Sequence, residues 1–468
     1  MSERPLELDD IQGNILAGFN TNVQVFHALT VVSADAFPEA CRWLAEQAGA
    51  ITTVAEVRAA RGSMKQGLSE AAPTWLFLAV GSRVLSRTQP DLRIRDDAFN
   101  GGMENRAPGV LGDKTDPAHW AVGGTSNPVD VLLVLASNNE AAAVARGELL
   151  VASAGKVGLR LSYREVGRRL PGEIEHFGFR DGLSQPSIAG FEAGGEHGAG
   201  NFVFGYQRSK GEAPYAPSPD ERQIADNGSL LVLRRLRQDV AAFQRFCAAE
   251  AQRLSARWPG VRPGHLAALL VGRWPSGAPA TTRDADDPGA SPADNQFHFD
   301  TDPDGAACPF GAHIRKVNPR KGPRDKVNVP RLLRRGIPFG RPAAQDPAGE
   351  RGLLFVAFQT SIKEQFEFLS EHWMNSDDRP ASTTHGHAHD LLVGSNDGAK
   401  SMTIAGPQGA VEVSRAEQEW IVPTGGAYLF APGRRGLAKF SKPASKLGLW
   451  RVKKVWAIAL DTVKPGRR

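Results

Sequence analysis

The chain has 468 residues, of which 41% are hydrophobic and 23% are charged, so wholesale disorder and a fibrous repeat are excluded. Its 56 Lys and Arg against 51 Asp and Glu give a net charge of +5, which is mild for this length. Cys41, Cys247 and Cys308 are far apart and form no C-x-x-C pair, so neither a disulfide framework nor a thiolate zinc site is expected.

The amino-terminal residues, MSERPLELDDIQGN, contain no basic segment leading into an apolar stretch and therefore predict no secretory signal. The sequence also contains no apolar run of the roughly 18–20 residues that a membrane span needs. We therefore expect a cytoplasmic protein with no membrane partner.

Strand-like and helix-like segments alternate in the first half of the chain. Short apolar runs rich in β-branched residues predict strands, whereas apolar residues at helical spacing predict helices. The predicted strands are 26–32, 74–80, 130–136 and 159–166, and the predicted helices are 36–46 and 139–151.

The second half repeats this alternation. Two halves that each mix strands and helices predict two α+β domains. The polar, Pro- and Gly-rich stretch 206–228 is the expected junction, and we divide the chain into domains 1–215 and 216–468. The predicted strands of the second half are 229–233, 353–359 and 427–432, and its predicted helices are 238–253 and 362–373.

Several common catalytic motifs are missing from the sequence. It contains no G-x-x-x-x-G-K-[ST] phosphate loop, no G-x-S-x-G elbow and no H-E-x-x-H helix. His385, His387 and His389 form a histidine-rich segment, HGHAHD, but alternate spacing in a loop is not a standard zinc arrangement. A polar loop is the better interpretation of that segment.

Three other segments contain residues suited to chemistry. In Gly178–Pro186, GFRDGLSQP, two glycines flank Asp181, which such a turn could direct at a ligand, although Gly- and Asp-rich turns are common. Cys308–Arg320, CPFGAHIRKVNPR, holds a single histidine, His313, of the kind that ligates haem iron, although a lone histidine is more often structural. Arg331–Gly340, RLLRRGIPFG, indicates either an arginine directed into a pocket or an exposed basic helix end.

Positive charge is concentrated in one stretch. Residues 313–335 contain nine Arg and Lys and one acidic residue, Asp325. Such a stretch suits anions, namely nucleic acid, phosphate or carboxylates, and it is also what a solvated basic loop looks like. No aromatic interleaving or known motif supports nucleic-acid binding.

Together, and in this order, the three segments and Asp9–Phe19, DDIQGNILAGF, resemble the dye-decolorising peroxidase family, the DyP-type haem peroxidases. The resemblance implies an α+β fold of two ferredoxin-like domains with antiparallel sheets. It also implies one haem b per chain, lying mainly in the carboxy-terminal domain, with the GFRDG loop of the amino-terminal half over its distal face.

The resemblance also implies site residues. His313 matches the proximal histidine that ligates the iron, and Asp181 matches the distal aspartate. Arg334 matches the distal arginine, with its neighbour Arg335 as the alternative in register. The apolar residues expected to line the distal pocket are Leu353 and Phe355.

Two further assignments concern groups around the haem. Arg315 is a candidate partner for a haem propionate. A histidine ligand usually donates its other N–H to a carboxylate or carbonyl, and we choose Asp390 as that partner, with Glu364 and Glu367 as alternatives. His176 is interpreted either as structural or as a contact of the residues that line the haem site.

The function implied by the resemblance is a haem-dependent peroxidase that uses hydrogen peroxide to oxidise dyes, phenols and similar reductants through an oxo-ferryl intermediate. The alternative is a protein that stores or carries haem or releases its iron. Asp181 and Arg334 favour the enzyme, because haem binding alone requires neither. We expect no nucleic-acid partner and leave open a homo-oligomer. The terminal LDTVKPGRR shows no Gly-Ser-Leu-type docking peptide, so encapsulation is not expected.

Overall fold

The structure is a computed structural model that describes residues 4–66, 73–88, 94–209, 224–281, 286–291, 295–320, 329–379, 387–395 and 398–441. The strands within these ranges are β1 Val23–Val31, β2 Trp75–Gly81, β3 Val131–Ser137, β4 Leu159–Arg168, β5 Ser229–Gln238, β6 Leu333–Arg334, β7 Ile337–Phe339, β8 Gly352–Gln359, β9 Lys400–Gly406, β10 Gly409–Arg415 and β11 Ile421–Ala431.

The helices are mostly short and connect these strands. Two π-helical segments, Ile362–Glu367 and Leu369–Met374, follow β8, and a third is Ala107–Leu111. The α-helices are α1 Gly13–Leu16, α2 Phe37–Glu46, α3 Val54–Lys65, α4 Ser82–Thr88, α5 Asp97–Gly101, α6 Met103–Arg106, α7 Glu140–Gly155, α8 Val240–Leu254, α9 Pro263–Val271, α10 His313–Val317 and α11 Arg434–Ala438.

The strands of the first half form an antiparallel sheet in the order β2-β3-β1-β4. Helices follow β1 and β3, and α7 packs on β1, β3 and β4. This is the strand order of a ferredoxin-like domain, so the fold expected for this half is confirmed.

The second half repeats the same order with its own strands. β11 pairs with β5, β5 pairs with β8, and β8 pairs with β6 and β7, all antiparallel. The α-helices α8 to α10 follow β5, and the π-helical segments follow β8. The expected pair of ferredoxin-like α+β halves is therefore present. The proposed boundary between residues 215 and 216 lies outside the described residues and stays a prediction.

Two narrow contacts join the halves. β11 pairs with β2 at Leu429 and Phe430, and β4 pairs with β7 at Gly167. Because β8 also pairs with β5, the paired strands of the described chain close on themselves. Gln12 supports the first contact, since its amide bonds both the N–H and the carbonyl of Leu78 on β2 and the carbonyl of Pro432 just beyond β11. A buried side chain thus supplies hydrogen bonds that a short strand pairing leaves unmade.

The structure contains every predicted strand and helix, with differences at their ends. β11 begins at Ile421, six residues before the predicted strand, because a register shift between Pro423 and Gly426 lets the strand accommodate residues typical of a turn. The segment predicted as a helix at 362–373 is π-helical. The elements that were not predicted include the helices α3 and α9 and the strands β6, β7, β9 and β10.

The structure contains no disulfide bond between the three cysteines, as expected from their spacing. All three cysteines are buried. Burial raises the pKa of both Cys247 and Cys308 to about 12. None of the helices in the described residues is long and apolar enough to cross a membrane.

The described part of the basic stretch is used largely inside the fold. The Arg335 guanidinium donates to the carbonyls of Asn14, Ile15 and Leu16, which belong to α1 and would otherwise be unsatisfied at its carboxyl end. Lys316 is fully buried and its Nζ donates to the carbonyls of Ser376, at 2.6 Å, and Arg379. These contacts favour a structural role over a surface for nucleic acid.

His27 on β1 is a buried titratable group within the first sheet. Its side chain faces α7, where a Cβ added to Gly147 would lie 2.4 Å from the imidazole ring. Neither ring nitrogen has a hydrogen-bond partner among the described residues. Burial, together with the positive charge of Arg164, lowers the pKa of His27 to about 4. The folded protein therefore favours the neutral imidazole.

This burial predicts an acid-sensitive contribution to stability. The unfolded chain binds a proton at His27 near pH 6.5 and the folded chain only near pH 4, so the free energy of unfolding falls as pH decreases through this window. We expect His27→Leu to remove about 2 kcal/mol of the loss between pH 7 and pH 5. Urea unfolding at both pH values measures this difference. The exposed His119, changed to Leu, is the control, and equal pH dependence of wild type and His27→Leu would contradict the interpretation.

Candidate functional site

A cavity of about 970 Å³ lies between the two halves of the chain. The first half contributes the segment around GFRDGLSQP to its wall, and the second half contributes α10, β6 and β8. Five of the residues predicted from the sequence border this cavity: Asp181, His313, Arg334, Leu353 and Phe355.

His313 is the first residue of α10 and is held by a carboxylate. Its Nδ1 lies 2.8 Å from Oδ2 of Asp390, which is fully buried. The other oxygen, Oδ1, accepts hydrogen bonds from the backbone N–H groups of Leu392 and Val393 at 3.0 and 3.1 Å. A carboxylate partner favours a proton on Nδ1, which leaves the lone pair of Nε2 available to a metal ion.

The alternative carboxylates make other contacts. Glu364 is exposed and pairs with Arg208. Glu367 is buried and binds Arg106 at 2.6 Å and the Tyr428 hydroxyl at 3.0 Å. The contact expected for Asp390 is therefore present in the structure, and neither alternative makes it in the described structure.

Asp181 sits in a turn that depends on glycine. Gly178 and Gly182 both have positive φ, at 95° and 80°, which glycine adopts without strain. The backbone N–H of Asp181 donates to the Glu173 carbonyl, and its Oδ1 accepts from the N–H of Gly182 at 2.6 Å. The side chain is 39% exposed, so the turn directs it into open space at the cavity.

Arg334 faces this aspartate from β6. Its Nη1 lies 3.4 Å from Oδ1 of Asp181, and its Nη2 donates to the Ser184 carbonyl at 3.1 Å. Because successive side chains of a strand point to opposite faces, Arg335 is directed away, to the end of α1. Of the two candidate arginines, Arg334 borders the cavity and Arg335 contacts α1.

Gln185 joins the GFRDGLSQP segment to β6 and was not identified from the sequence. The side-chain amide of Gln185 accepts a hydrogen bond from the backbone N–H of Arg334 and donates to its carbonyl, both at 3.1 Å. This is the pair of bonds that a neighbouring strand would make. The glutamine lies within the quoted GFRDGLSQP motif, but nothing in the sequence indicates its partner 149 residues away.

Comparison with known proteins gives a consistent result. The family model "Dyp-type peroxidase, C-terminal" matches residues 276–384. The dye-decolorizing peroxidase of Exidia glandulosa is 30% identical over 451 residues, covering 91% of this chain and 85% of the relative. Dye-decolorizing peroxidase msp1 of Mycetinis scorodonius is 29% identical over 471 residues, covering 92% and 87%.

The chain belongs to the dye-decolorizing peroxidase family. It is therefore an oxidoreductase that acts as a peroxidase. Solved structures agree: a mutant of the dye-decolorizing peroxidase of Pleurotus ostreatus has a TM-score of 0.79 at 26% identity, covering 93% of this chain and 99% of that one. A DyP-type peroxidase of Anabaena sp. has a TM-score of 0.76 at 26% identity, with coverage of 92% and 94%. Peroxidases of this family are in general haem enzymes.

Arg315 does not reach the cavity, which corrects its assignment as a candidate for pairing with a haem propionate. Its guanidinium is buried and donates to Oδ2 and the carbonyl of Asp302, each at 2.7 Å, and to the Cys308 carbonyl at 2.6 Å. It also lies between the rings of Phe299 and Phe310, at 4.4 and 4.3 Å. The side chain is thus committed to shaping the segment before α10.

Arg320, at the end of the same motif, does border the cavity. Its guanidinium donates to Oγ of Ser184 at 3.0 Å and to Oδ1 of Asn295 at 2.5 Å. Burial and the positive charges of Arg273 and Arg331 lower the pKa of Arg320 to about 10. A cation in this environment is stabilised by an anion, so this edge of the cavity suits a carboxylate ligand.

Of the other histidines named from the sequence, His176, His387 and His389 do not border the cavity. Nε2 of His176 is 2.8 Å from the Phe339 carbonyl, consistent with the structural role expected. His387 and His389 both contact the carboxylate of Asp377, whereas His385 lies outside the described residues. No group of three or more metal-ligating side chains occurs in the part of the chain that the structure describes.

The contact between His313 and Asp390 predicts a change in haem affinity. In Asp390→Asn the amide can donate to Nδ1, which places the imidazole proton on Nε2 and blocks metal binding there. We expect haem affinity to fall about 10–100-fold, as measured by titration of apo-protein followed by visible absorbance. Asp377→Asn, which alters the carboxylate beside His387 and His389, is the matched control. Unchanged affinity in Asp390→Asn would contradict this role.

Proposed function

We propose that this chain is a haem-dependent peroxidase that binds haem b in the cavity, with His313 as the iron ligand and with Asp181 and Arg334 acting on hydrogen peroxide. One observation carries the proposal: the same cavity is bordered by an imidazole held by a buried carboxylate and by an aspartate paired with an arginine. The reductant is an organic dye, the substrate class in the names of the relatives, or a phenol.

The residues present fit a haem. The cavity volume of about 970 Å³ lies within the range of ligand pockets, and its wall includes the apolar side chains of Leu353, Phe355 and Phe366. His313 supplies a free Nε2, and Arg320 supplies a cation for a propionate. When bound, haem supplies an iron centre that coordinates peroxide and exchanges electrons with peroxide and reductant.

Asp181 is proposed to move the proton. Hydrogen peroxide must lose a proton from one oxygen and gain one on the other, so that the second oxygen leaves as water. A carboxylate within hydrogen-bond reach of both oxygens, directly or through one water, performs both transfers. The turn between Gly178 and Gly182 holds Asp181 for this task, and Nη1 of Arg334 lies 3.4 Å from its Oδ1.

Arg334 is proposed to stabilise negative charge on the peroxide. As the O–O bond breaks unevenly, charge develops on the leaving oxygen, and a fixed guanidinium lowers the energy of that arrangement. The hydrogen bonds from Arg334 to Ser184 and between its backbone and Gln185 hold the guanidinium in place before peroxide arrives. Little reorganisation is then needed during the reaction.

The roles of Asp181 and Arg334 predict separate losses of rate. We expect Asp181→Asn and Arg334→Leu each to slow the reaction of haem-loaded protein with equimolar peroxide by about 10²–10³-fold. Rapid mixing with visible absorbance measures this rate, while the spectrum before mixing reports ligation by His313. Asp377→Asn, at a carboxylate that does not border the cavity, is the control.

Two outcomes would overturn parts of this proposal. Fast reaction in both variants would retain the peroxidase and reject Asp181 and Arg334 as its catalytic residues. If wild-type protein binds haem through histidine yet peroxide only bleaches it slowly, a protein that stores or carries haem is the better description.

A further inference from the structure

Glu175 is a carboxylate in the cavity wall to which the mechanism assigns no role. It stands six residues before Asp181, in the sequence EHFGFRD. Burial raises its pKa, and the negative charge of Asp181 acts in the same direction, whereas hydrogen bonds to its carboxylate act in the opposite one. A carboxylate in such an environment costs free energy unless hydrogen bonds or an opposite charge compensate for the lost water.

The carboxylate organises the turn that precedes Asp181. Its Oε1 accepts from the backbone N–H of Phe179 at 3.0 Å, and its Oε2 accepts from that of Phe177 at 2.9 Å. The backbone closes the same turn, because the N–H of Glu175 donates to the Phe179 carbonyl and the N–H of Gly178 donates to the Glu175 carbonyl, both at 2.9 Å. Five residues are thus folded around one side chain.

A third donor fixes this turn to the other half of the chain. Nε2 of Gln238, the last residue of β5, donates to Oε2 of Glu175 at 2.5 Å. Apolar packing accompanies this bond, since the ring of Phe177 lies 4.6 Å from that of Phe243 on α8. The loop of the first half is therefore anchored on the second half at both polar and apolar points.

Asp181 follows directly from this anchored turn. Beyond Phe179, the chain pairs Arg180 with Ile174 in an isolated bridge, and the N–H of Asp181 donates to the Glu173 carbonyl. Residues 173–174 and 180–181, which pair with each other, therefore enter and leave the turn built on Glu175. A shift of that turn moves Asp181 relative to Arg334, whose backbone is held separately by the amide of Gln185 and by the pairing of β6 with β8.

We propose that Glu175 is a positioning residue for the peroxidase reaction: its carboxylate fixes the turn 175–179 and, through it, the place of Asp181 over the cavity. This inference rests on the proposed function of Asp181. A carboxylate is required because both of its oxygens only accept hydrogen bonds. The amide of a glutamine would direct N–H groups at backbone or side-chain donors and lose at least one of the three bonds.

The test is a double-mutant cycle on haem-loaded protein. We expect Glu175→Gln to lower the rate of reaction with peroxide by about 10–100-fold, because small displacements of a catalytic group have effects of this size. In the Asp181→Asn background the same change should lower the rate less than twofold, since a displaced Asp181 no longer matters. Equal losses in both backgrounds would show a role independent of Asp181 and overturn the proposal.

A second readout is independent of activity. In apo-protein, hydrogen–deuterium exchange of a peptide covering residues 175–182 should accelerate in Glu175→Gln, while haem affinity stays within about twofold of wild type. Gln238→Leu, which removes only the anchor, should give a smaller acceleration in the same peptide. If Glu175→Gln fails to fold, Gln238→Leu carries the cycle with Asp181→Asn, and an unchanged rate with unchanged exchange in Gln238→Leu would overturn the anchoring role.

Glu173 provides the matched control. It lies in the same loop, and its exposed carboxylate pairs with Arg169 and Arg180. Glu173→Gln removes a neighbouring charge but leaves the carbonyl that holds Asp181, so its peroxide rate should stay within twofold of wild type. A loss as large as that of Glu175→Gln would indicate a general charge effect. If Asp181→Asn alone retains the wild-type rate, the proposed function fails instead of this inference.

Discussion

The arrangement of the cavity depends on one amide, that of Gln185. By bonding both backbone groups of Arg334, it fixes a loop of the first half against a strand of the second, and Asp181 and Arg334 belong to those two parts. Nη1 of Arg334 and Oδ1 of Asp181 lie 3.4 Å apart across this contact. Neither half by itself contains the pair, so the site exists only when the sheets close on each other.

Hydrogen bonds from nearby residues also hold two carboxylates at the cavity, those of Asp390 and Glu175. Asp390 is buried completely, yet its oxygens are occupied by His313 and by two backbone N–H groups three residues or fewer away. Glu175 is treated likewise by the turn around it. Short chain segments therefore supply the hydrogen bonds that a carboxylate in the interior requires, and they fix its orientation at the same time. The same hydrogen bonds therefore compensate for the loss of water around each carboxylate and fix its orientation.

The strands and helices with strong periodicity could be predicted from sequence because their apolar faces are local signals. β11 begins six residues before the predicted strand, in a stretch where Pro423 and Gly426 are typical of turns, and only the partner strand shows that a register shift accommodates them. The motifs indicated Asp181, His313 and Arg334, which border one cavity, since each lies in its own recognisable segment. Arg315 was misplaced because a neighbouring position in a motif does not show where a side chain points, and its partner Asp302 gave no signal.

The charge of the basic stretch 313–335 does not show whether its cations face solvent or the interior of the protein. Nine cations in 23 residues suggest a surface for anions, yet Arg315, Lys316 and Arg335 are directed into the protein, where carbonyls and one carboxylate bind them. Arg320 differs, because it borders the cavity and because burial and neighbouring arginines lower its pKa to about 10. An anionic ligand in the cavity would relieve this repulsion. Within this stretch, Arg320 is therefore suited to an anion, and that anion would be a carboxylate of a ligand in the cavity.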